Sequence, residues 1–306
     1  MPLDPLAQAW LDAAAAVELP PLGQITPEAL RASRVPPPPG PEVARVQDMN
    51  VAGPDGPVPV RLYWPSAEPG LPILVWCHGG GWVTGSLDIA DSTARRLCSL
   101  GECIVISVDY RLAPEHQYPA GRDDAYAAMV WAFQNAKRFG GDSERIAVGG
   151  DSAGGTLAAV IAQMARDRAG IALRFQLLVY PVTDAAMDTA SFRERTELGL
   201  TRDAMAWYWD QYAPPGVDRN DPYVSPLRST NLERLAPAYV VTAEYDPLCD
   251  EGEAYAAALR AAGVPVESER FAGQIHAFFV NAHYFPEGMR AVERAAALLR
   301  SAFTRQ

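Results

Sequence analysis

Five consecutive residues, Gly150-Asp151-Ser152-Ala153-Gly154, set a serine among small neighbours. They follow an apolar run over 145–149 that reads as a strand and precede a helical stretch over 154–168. A sharp strand-to-helix turn at this point lifts the Ser152 hydroxyl clear of the sheet. The helix N-terminus behind it favours negative charge developing there. The chemistry suited to such a serine is nucleophilic acyl transfer. Three fixed residues recur by chance, and the chain carries its own control in Gly141-Asp142-Ser143. That triplet lacks the closing glycine and follows a helix instead of a strand, so it is expected to be a plain helix-to-strand turn.

An oxyanion intermediate needs preorganised donors, each worth a few kcal/mol. His78-Gly79-Gly80-Gly81-Trp82 directly follows an apolar strand-like run over 73–77. Three successive glycines are entropically costly as a mere linker, but they let backbone N–H groups approach a ligand closely. Gly80 and Gly81, joined by Ala153 after the nucleophile, are the expected donors. A phosphate-binding loop is ruled out because no Gly-Lys-Ser/Thr follows.

A serine nucleophile also needs a base and a carboxylate to orient it, in the chain order serine, acid, histidine. Of the four histidines, only His276 and His283 follow Ser152. His276 closes a loop expected over 272–276, just after the strand-like run 266–271, whereas His283 lies in the next helical or irregular segment. His276 is therefore the expected base. Glu244-Tyr245-Asp246-Pro247 follows the run 238–243, and Asp246, farther into the loop than Glu244, is the expected acid. Asp250 suits the first turn of the following helix.

The elements that must position these groups alternate along the chain. An extended pair, 43–51 and 57–64 around Asp55-Gly56, predicts an antiparallel hairpin. Apolar runs over 73–77, 103–109, 145–149, 174–180, 238–243 and 266–271 predict strands. Between and after them, helices are expected over 88–100, 121–138, 154–168, 249–262 and 287–303. Continuous apolar runs separated by helices predict a mostly parallel, doubly wound α/β sheet covered on both faces. Its ligand crevice lies at the C-terminal ends of the strands. Two segments stand outside this rhythm. An amphipathic helix over 5–19 and a second opened by Thr26-Pro27-Glu28 precede the stiff run Pro36 to Pro39. Between Tyr180 and Ala238 no strand is evident, only a helical piece around 201–212. An insertion of that length often forms a lid, and a helical cap from about 1–42 and 181–225 on a single domain over 1–306 is the expectation.

The composition sets outer limits. With 26 Lys and Arg against 37 Asp and Glu, the formal charge is −11, and no basic patch is evident, so nucleic acid and anionic membranes are disfavoured partners. None of Cys77, Cys98, Cys103 and Cys249 forms a Cys-x-x-Cys pair or has zinc-ligand spacing to histidine, so no metal site is expected. The N-terminus lacks the basic start of a secretory signal, and no apolar run reaches membrane-spanning length, which makes a reduced, cytoplasmic location the default.

Taken together, His78-Gly79-Gly80-Gly81, Gly150-Asp151-Ser152-Ala153-Gly154-Gly155, Asp246-Pro247-Leu248 and His276-Ala277-Phe278 resemble the hormone-sensitive-lipase-like family of α/β-hydrolases, in its bacterial carboxylesterase branch. Asp109-Tyr110-Arg111-Leu112-Ala113-Pro114-Glu115-His116 adds to the likeness, which runs from about residue 40 to 300. The resemblance implies an α/β-hydrolase fold and a carboxylesterase that cleaves short- to medium-chain acyl esters through an acyl-enzyme, with no cofactor. It implies the triad Ser152, Asp246 and His276, structural roles for His78 and His116, a small-molecule ester as partner, and it admits a homodimer. Thr156 and Ala277 stand where the family more often has Asn and Gly, which touches substrate fit and not mechanism. Trp82, Phe192, Trp207, Trp209 and Phe278 are candidates to line an apolar substrate pocket, although aromatic side chains more often pack in a core. Two readings stay open beside an esterase. One is a non-catalytic small-molecule receptor of the same fold, which would have lost the histidine. The other is an amidase, peptidase or acyltransferase using the same residues.

Overall fold

The computed structural model describes residues 2–17, 20, 23–194 and 198–304. In chain order the strands are β1 (Arg45–Gly53), β2 (Gly56–Trp64), β3 (Leu71–Cys77), β4 (Ile104–Val108), β5 (Gly141–Asp151), β6 (Phe175–Val179), β7 (Ala238–Tyr245) and β8 (Val266–Ile275). The helices are α1 (Pro5–Ala15), α2 (Pro27–Ala32), α3 (Leu87–Gly101), α4 (Ala120–Asn135), α5 (Ala153–Met164), α6 (Ala190–Glu194), α7 (Arg202–Tyr212), α8 (Cys249–Ala261) and α9 (Pro286–Thr304). The eight strands form one sheet in the order β1-β2-β4-β3-β5-β6-β7-β8. The β1–β2 hairpin and the β2–β4 pair are antiparallel, and every pair from β4 to β8 is parallel.

Burial explains why the strands read as unbroken apolar runs. In β3, Ile73, Val75 and Cys77 join the core beneath α4 and α5, while Leu74 and Trp76 join the core beneath α3 and α9. With both faces covered, no polar alternation is needed. From β3 the chain crosses to β4 on one side and then returns to β5 on the other. The loops that leave β3 and β5 therefore diverge and open a crevice at their C-terminal ends. Cys77 pairs with Gly150, which puts the starts of those two loops side by side.

Some boundaries differ from the sequence expectation. The expected helix over 154–168 is α-helical only to Met164 and widens into one π turn over Ala165–Ala169. The helix expected to 138 ends at Asn135 and tightens into a 3-10 turn. The loop expected over 272–276 is strand as far as Ile275, because a register shift beside Tyr245 lets Ile275 pair with it. Gly273, at φ 74°, absorbs that irregularity, and its N–H donates to Glu244 Oε2 at 2.8 Å. The final two residues of the helix expected over 5–19 lie outside the described residues, as do residues 1, 21–22 and 195–197 of the expected cap and 305–306 of the expected domain.

The N-terminal helices are docked against the sheet's active end. Asp4 caps α1 through Leu6 N–H, and its own N–H donates to Gly273 O at 3.0 Å. Trp10 packs on Tyr284 and Phe285 with ring centroids 5.2 and 5.5 Å away. Arg31 at the end of α2 donates to Val83 O (2.7 Å) and Ala113 O (2.8 Å) and grips Glu115 with both terminal nitrogens. Among the described residues no helix is long and apolar enough to cross a membrane.

Candidate active site

Ser152 sits between the end of β5 and the first residue of α5 with φ 55° and ψ −121°. This backbone conformation is strained for a residue with a side chain, by about 1–3 kcal/mol. Its surroundings over-determine it: Ser152 N–H donates to Val179 O at 2.9 Å, and Thr156 N–H and Val182 N–H donate to Ser152 O. The turn is also tight from below, since a Cβ on Gly154 would overlap the Cys77 carbonyl oxygen. Only glycine there lets α5 start against the end of β3.

The chain ends of β7 and β8 bring two more groups to Ser152. His276 is the first residue after β8, and its Nε2 lies 3.1 Å from Ser152 Oγ. Its Nδ1 lies 2.7 Å from Asp246 Oδ2, and Asp246 is the first residue after β7. With Nδ1–H donating to the carboxylate, Nε2 is left as the acceptor for the serine proton. Asp246 is fully buried, and its other oxygen accepts the Leu248 N–H at 3.0 Å. The Tyr180 ring packs on the imidazole, centroids 4.6 Å apart. Glu244, still within β7, is turned to Gly273 instead.

The Gly79-Gly80-Gly81 loop borders the same cavity. Gly79 N–H donates to Asp151 Oδ1 at 3.0 Å, and Gly80 O accepts from Val83 and Thr84 N–H. No protein acceptor is found for the N–H groups of Gly80, Gly81 or Ala153 among the described residues. The cavity holds about 420 Å³. Ser152, His276, Gly80 and Gly81 form its floor, and Trp10, Arg34, Val35, Leu200, Met205 and Tyr208 contribute to the rest of its wall. Its wall thus includes residues from the N-terminal segment and from the insertion after β6.

Burial shifts two groups beside the nucleophile. Asp151 has its carboxyl pushed up to about 6 by desolvation, opposed by the Gly79 N–H and by His276. His78, stacked on Tyr110 with Nδ1 2.8 Å from Gly79 O, is pushed down to about 4 by burial. A neutral His78 fits a structural part in holding the glycine loop. His116 and His283 are both exposed.

The expected aromatic pocket residues are placed otherwise. Trp82 stacks on Tyr212 at 4.3 Å and lies 4.7 Å from Trp209, and both tryptophans are buried in the core. Phe278 is fully buried beside Phe271 and Tyr180, and Phe192 is fully buried as well. Trp207 is half-buried with its ring edge-on to Tyr208. None of the five borders the cavity, while Tyr208 does. For Trp82, Trp209, Phe192 and Phe278 enclosure on all sides removes more apolar surface from water than a cavity wall would. Tyr180, Tyr208 and Arg31 were not distinguishable by sequence, because nothing local marks which of twelve tyrosines or many arginines meets a loop far away in the chain.

Residues 74–280 match the family described as alpha/beta hydrolase fold. The chain is 45% identical over 285 residues to carboxylesterase NlhH of Mycobacterium tuberculosis, covering 89% of this chain and 87% of that one. It is 41% identical over 239 residues to an ethyl acetate hydrolase of Pseudomonas putida, covering 76% and 75% of the two chains. Among solved structures, the hyperthermophilic esterase of the archaeon Pyrobaculum calidifontis superposes with a TM-score of 0.91 at 40% identity, over 98% of this chain and 99% of that one.

Proposed function

We propose, from the premise that the chain belongs to the hormone-sensitive-lipase-like family of α/β-hydrolases and is a carboxylic-ester hydrolase, that it cleaves short- to medium-chain acyl esters through an acyl-enzyme on Ser152. The observation that carries the reading is the line of contacts Ser152 Oγ, His276 and Asp246, at 3.1 and 2.7 Å. As Ser152 Oγ attacks the ester carbonyl, His276 Nε2 takes its proton, and buried Asp246 stabilises the imidazolium. The tetrahedral oxyanion is received by the N–H groups of Gly80, Gly81 and Ala153, which have no acceptor to give up among the described residues. Collapse breaks the carbon–alkoxide bond, and His276 returns the proton to the leaving alcohol. Water then adds to the acyl-serine, His276 again takes the proton, and the acid departs as the Ser152 hydroxyl is restored.

Small substrates fit the space. A cavity of about 420 Å³ is near the lower end of the usual range for ligand pockets. The N-terminal segment and the insertion after β6 act in this reading as a cap that encloses the acyl group while leaving the acyl-serine open to the hydrolytic water. An intact His276 in contact with Ser152 weighs against a receptor without catalysis. The test is turnover of p-nitrophenyl esters of graded chain length, with matched anilides, by wild type and Ser152→Ala. Wild type is expected to cleave acetate and butyrate esters in preference to long chains and anilides. Ser152→Ala is expected to lose on the order of 10⁴-fold or more of the activity while still folding. Retained ester turnover in Ser152→Ala overturns the mechanism.

A further inference from the structure

The three glycines between His78 and Trp82 are held in three different ways. Gly79 is tied to the nucleophile strand by its N–H bond to Asp151. Gly80 is tied by its carbonyl, which accepts from Val83, Thr84 N–H and the Thr84 hydroxyl. Gly81 has no hydrogen bond to its backbone among the described residues, and it sits in the left-handed region at φ 61°. A glycine without hydrogen bonds is the freest residue a loop can contain. Yet its N–H is one of the donors that must meet a developing oxyanion at about 2.7–3.1 Å. Something other than a hydrogen bond has to fix it.

Packing supplies that restraint. The Tyr208 ring lies flat against Gly81, so close that a Cβ on Gly81 would fall among the ring carbons. Tyr208 is itself 7% exposed, with the Trp207 ring edge-on at 5.2 Å and Arg34 Nη2 3.5 Å from its hydroxyl. Both Trp207 and Tyr208 belong to α7, outside the sheet. We infer that Tyr208 is a positioning residue, whose ring presses on Gly81 and holds the oxyanion donors of the 79–81 loop in register with Ser152. The insertion after β6 then takes part in catalysis through this one contact, besides walling the cavity. This inference rests on the oxyanion reading of the loop given above.

Tyr208→Ala, Tyr208→Phe and wild type, each as the full chain, are compared for kcat and KM on p-nitrophenyl butyrate. Inhibition by a trifluoromethyl ketone, whose serine adduct carries the oxyanion, is measured alongside, with circular dichroism to establish folding. Tyr208→Ala is expected to lower kcat about tenfold and weaken the ketone by a similar factor, with KM changed less than about threefold. Tyr208→Phe, which keeps the ring, is expected to restore both to within about threefold of wild type. If Tyr208→Ala does not fold, Tyr208→Leu takes its place, with apolar bulk but no flat ring and the same expectations. A raised KM with unchanged kcat would make Tyr208 a pocket wall only, and loss not restored by Phe would assign the effect to the hydroxyl. Either result, or no change at all, overturns the inference. An inert wild type, by contrast, would overturn the proposed function itself.

Discussion

Asp151 shows how a single residue beside the nucleophile carries a stability signature distinct from catalysis. Its carboxyl is buried, accepts the Gly79 N–H and is pushed up from an ordinary value of 3.8 to about 6. The folded state therefore prefers the protonated form, whereas the unfolded chain ionises it near its ordinary value. Stability from this group is complete below about pH 4, falls as pH rises, and is fully lost above about pH 6. An amide at this position accepts the same N–H bond and does not ionise. Asp151→Asn is expected to melt at a temperature that improves relative to wild type between about pH 4 and pH 7.5, by up to about 3 kcal/mol of stability. Thermal melts of both proteins at the two pH values check this. A difference that does not change with pH would mean that burial does not raise the Asp151 carboxyl.

At the scale of elements, the short helix α2 depends on its last turn. Six residues do not hold a helix in water unaided, and Arg31 attaches this one to the loops after β3 and β4. Its guanidinium satisfies two backbone carbonyls, Val83 O and Ala113 O, as well as Glu115, which it draws down to about 2. Removing it leaves those carbonyls short of a donor, a loss of about 1–3 kcal/mol. Because Ser33, Arg34, Val35 and Pro37 follow directly and border the cavity, the loss reaches the substrate. Arg31→Ala is expected to raise KM several-fold with a smaller change in kcat and to speed amide exchange across Pro27–Ala32. Arg31→Lys restores little, since an ammonium lacks the planar fork that meets three acceptors. Exchange measured by mass spectrometry decides it: unchanged protection of that helix would show that Arg31 does not anchor it.

Across the whole molecule, the two layers of core on either side of the sheet take in Cys77, Cys98 and Cys103, and Cys249 is buried as well. Cys77 ends β3, Cys98 lies in α3, Cys103 precedes β4 and Cys249 opens α8. All four are buried and none is in a disulfide. Burial pushes the thiols of Cys77, Cys98 and Cys103 up, so little thiolate is present near neutral pH. A thiol-specific chromogenic reagent is expected to label none of them within minutes in the native protein and all four in denaturant, with activity indifferent to reductant. One fast-reacting native thiol would reveal an opening of the core that the packing does not provide.

Much of this arrangement was legible along the chain because its signals are local. Period, glycine placement and strand-to-helix order are properties of ten or fifteen adjacent residues. They were enough to outline the sheet and to single out Ser152, Asp246 and His276 as residues at strand ends. The parallel sheet then leaves little freedom: each of the three lies within one residue of the C-terminal end of its strand, so pairing β5, β6, β7 and β8 side by side brings them within hydrogen-bonding reach. The extension of β8 to Ile275 was not legible, since it depends on a register shift against β7 and not on the composition of 272–276. The aromatic residues followed the same division. Trp82, Trp209 and Phe278 carry no local mark of whether they face a cavity or a core, and packing among α7, the glycine loop and α9 sent all three inward. Tyr208, one position from two tryptophans, came to rest on Gly81 because the chain folds α7 back over a loop more than a hundred residues earlier. Chemistry confined to short motifs is written in sequence order, whereas the walls and braces around it are contacts between distant segments that exist only once the chain has packed.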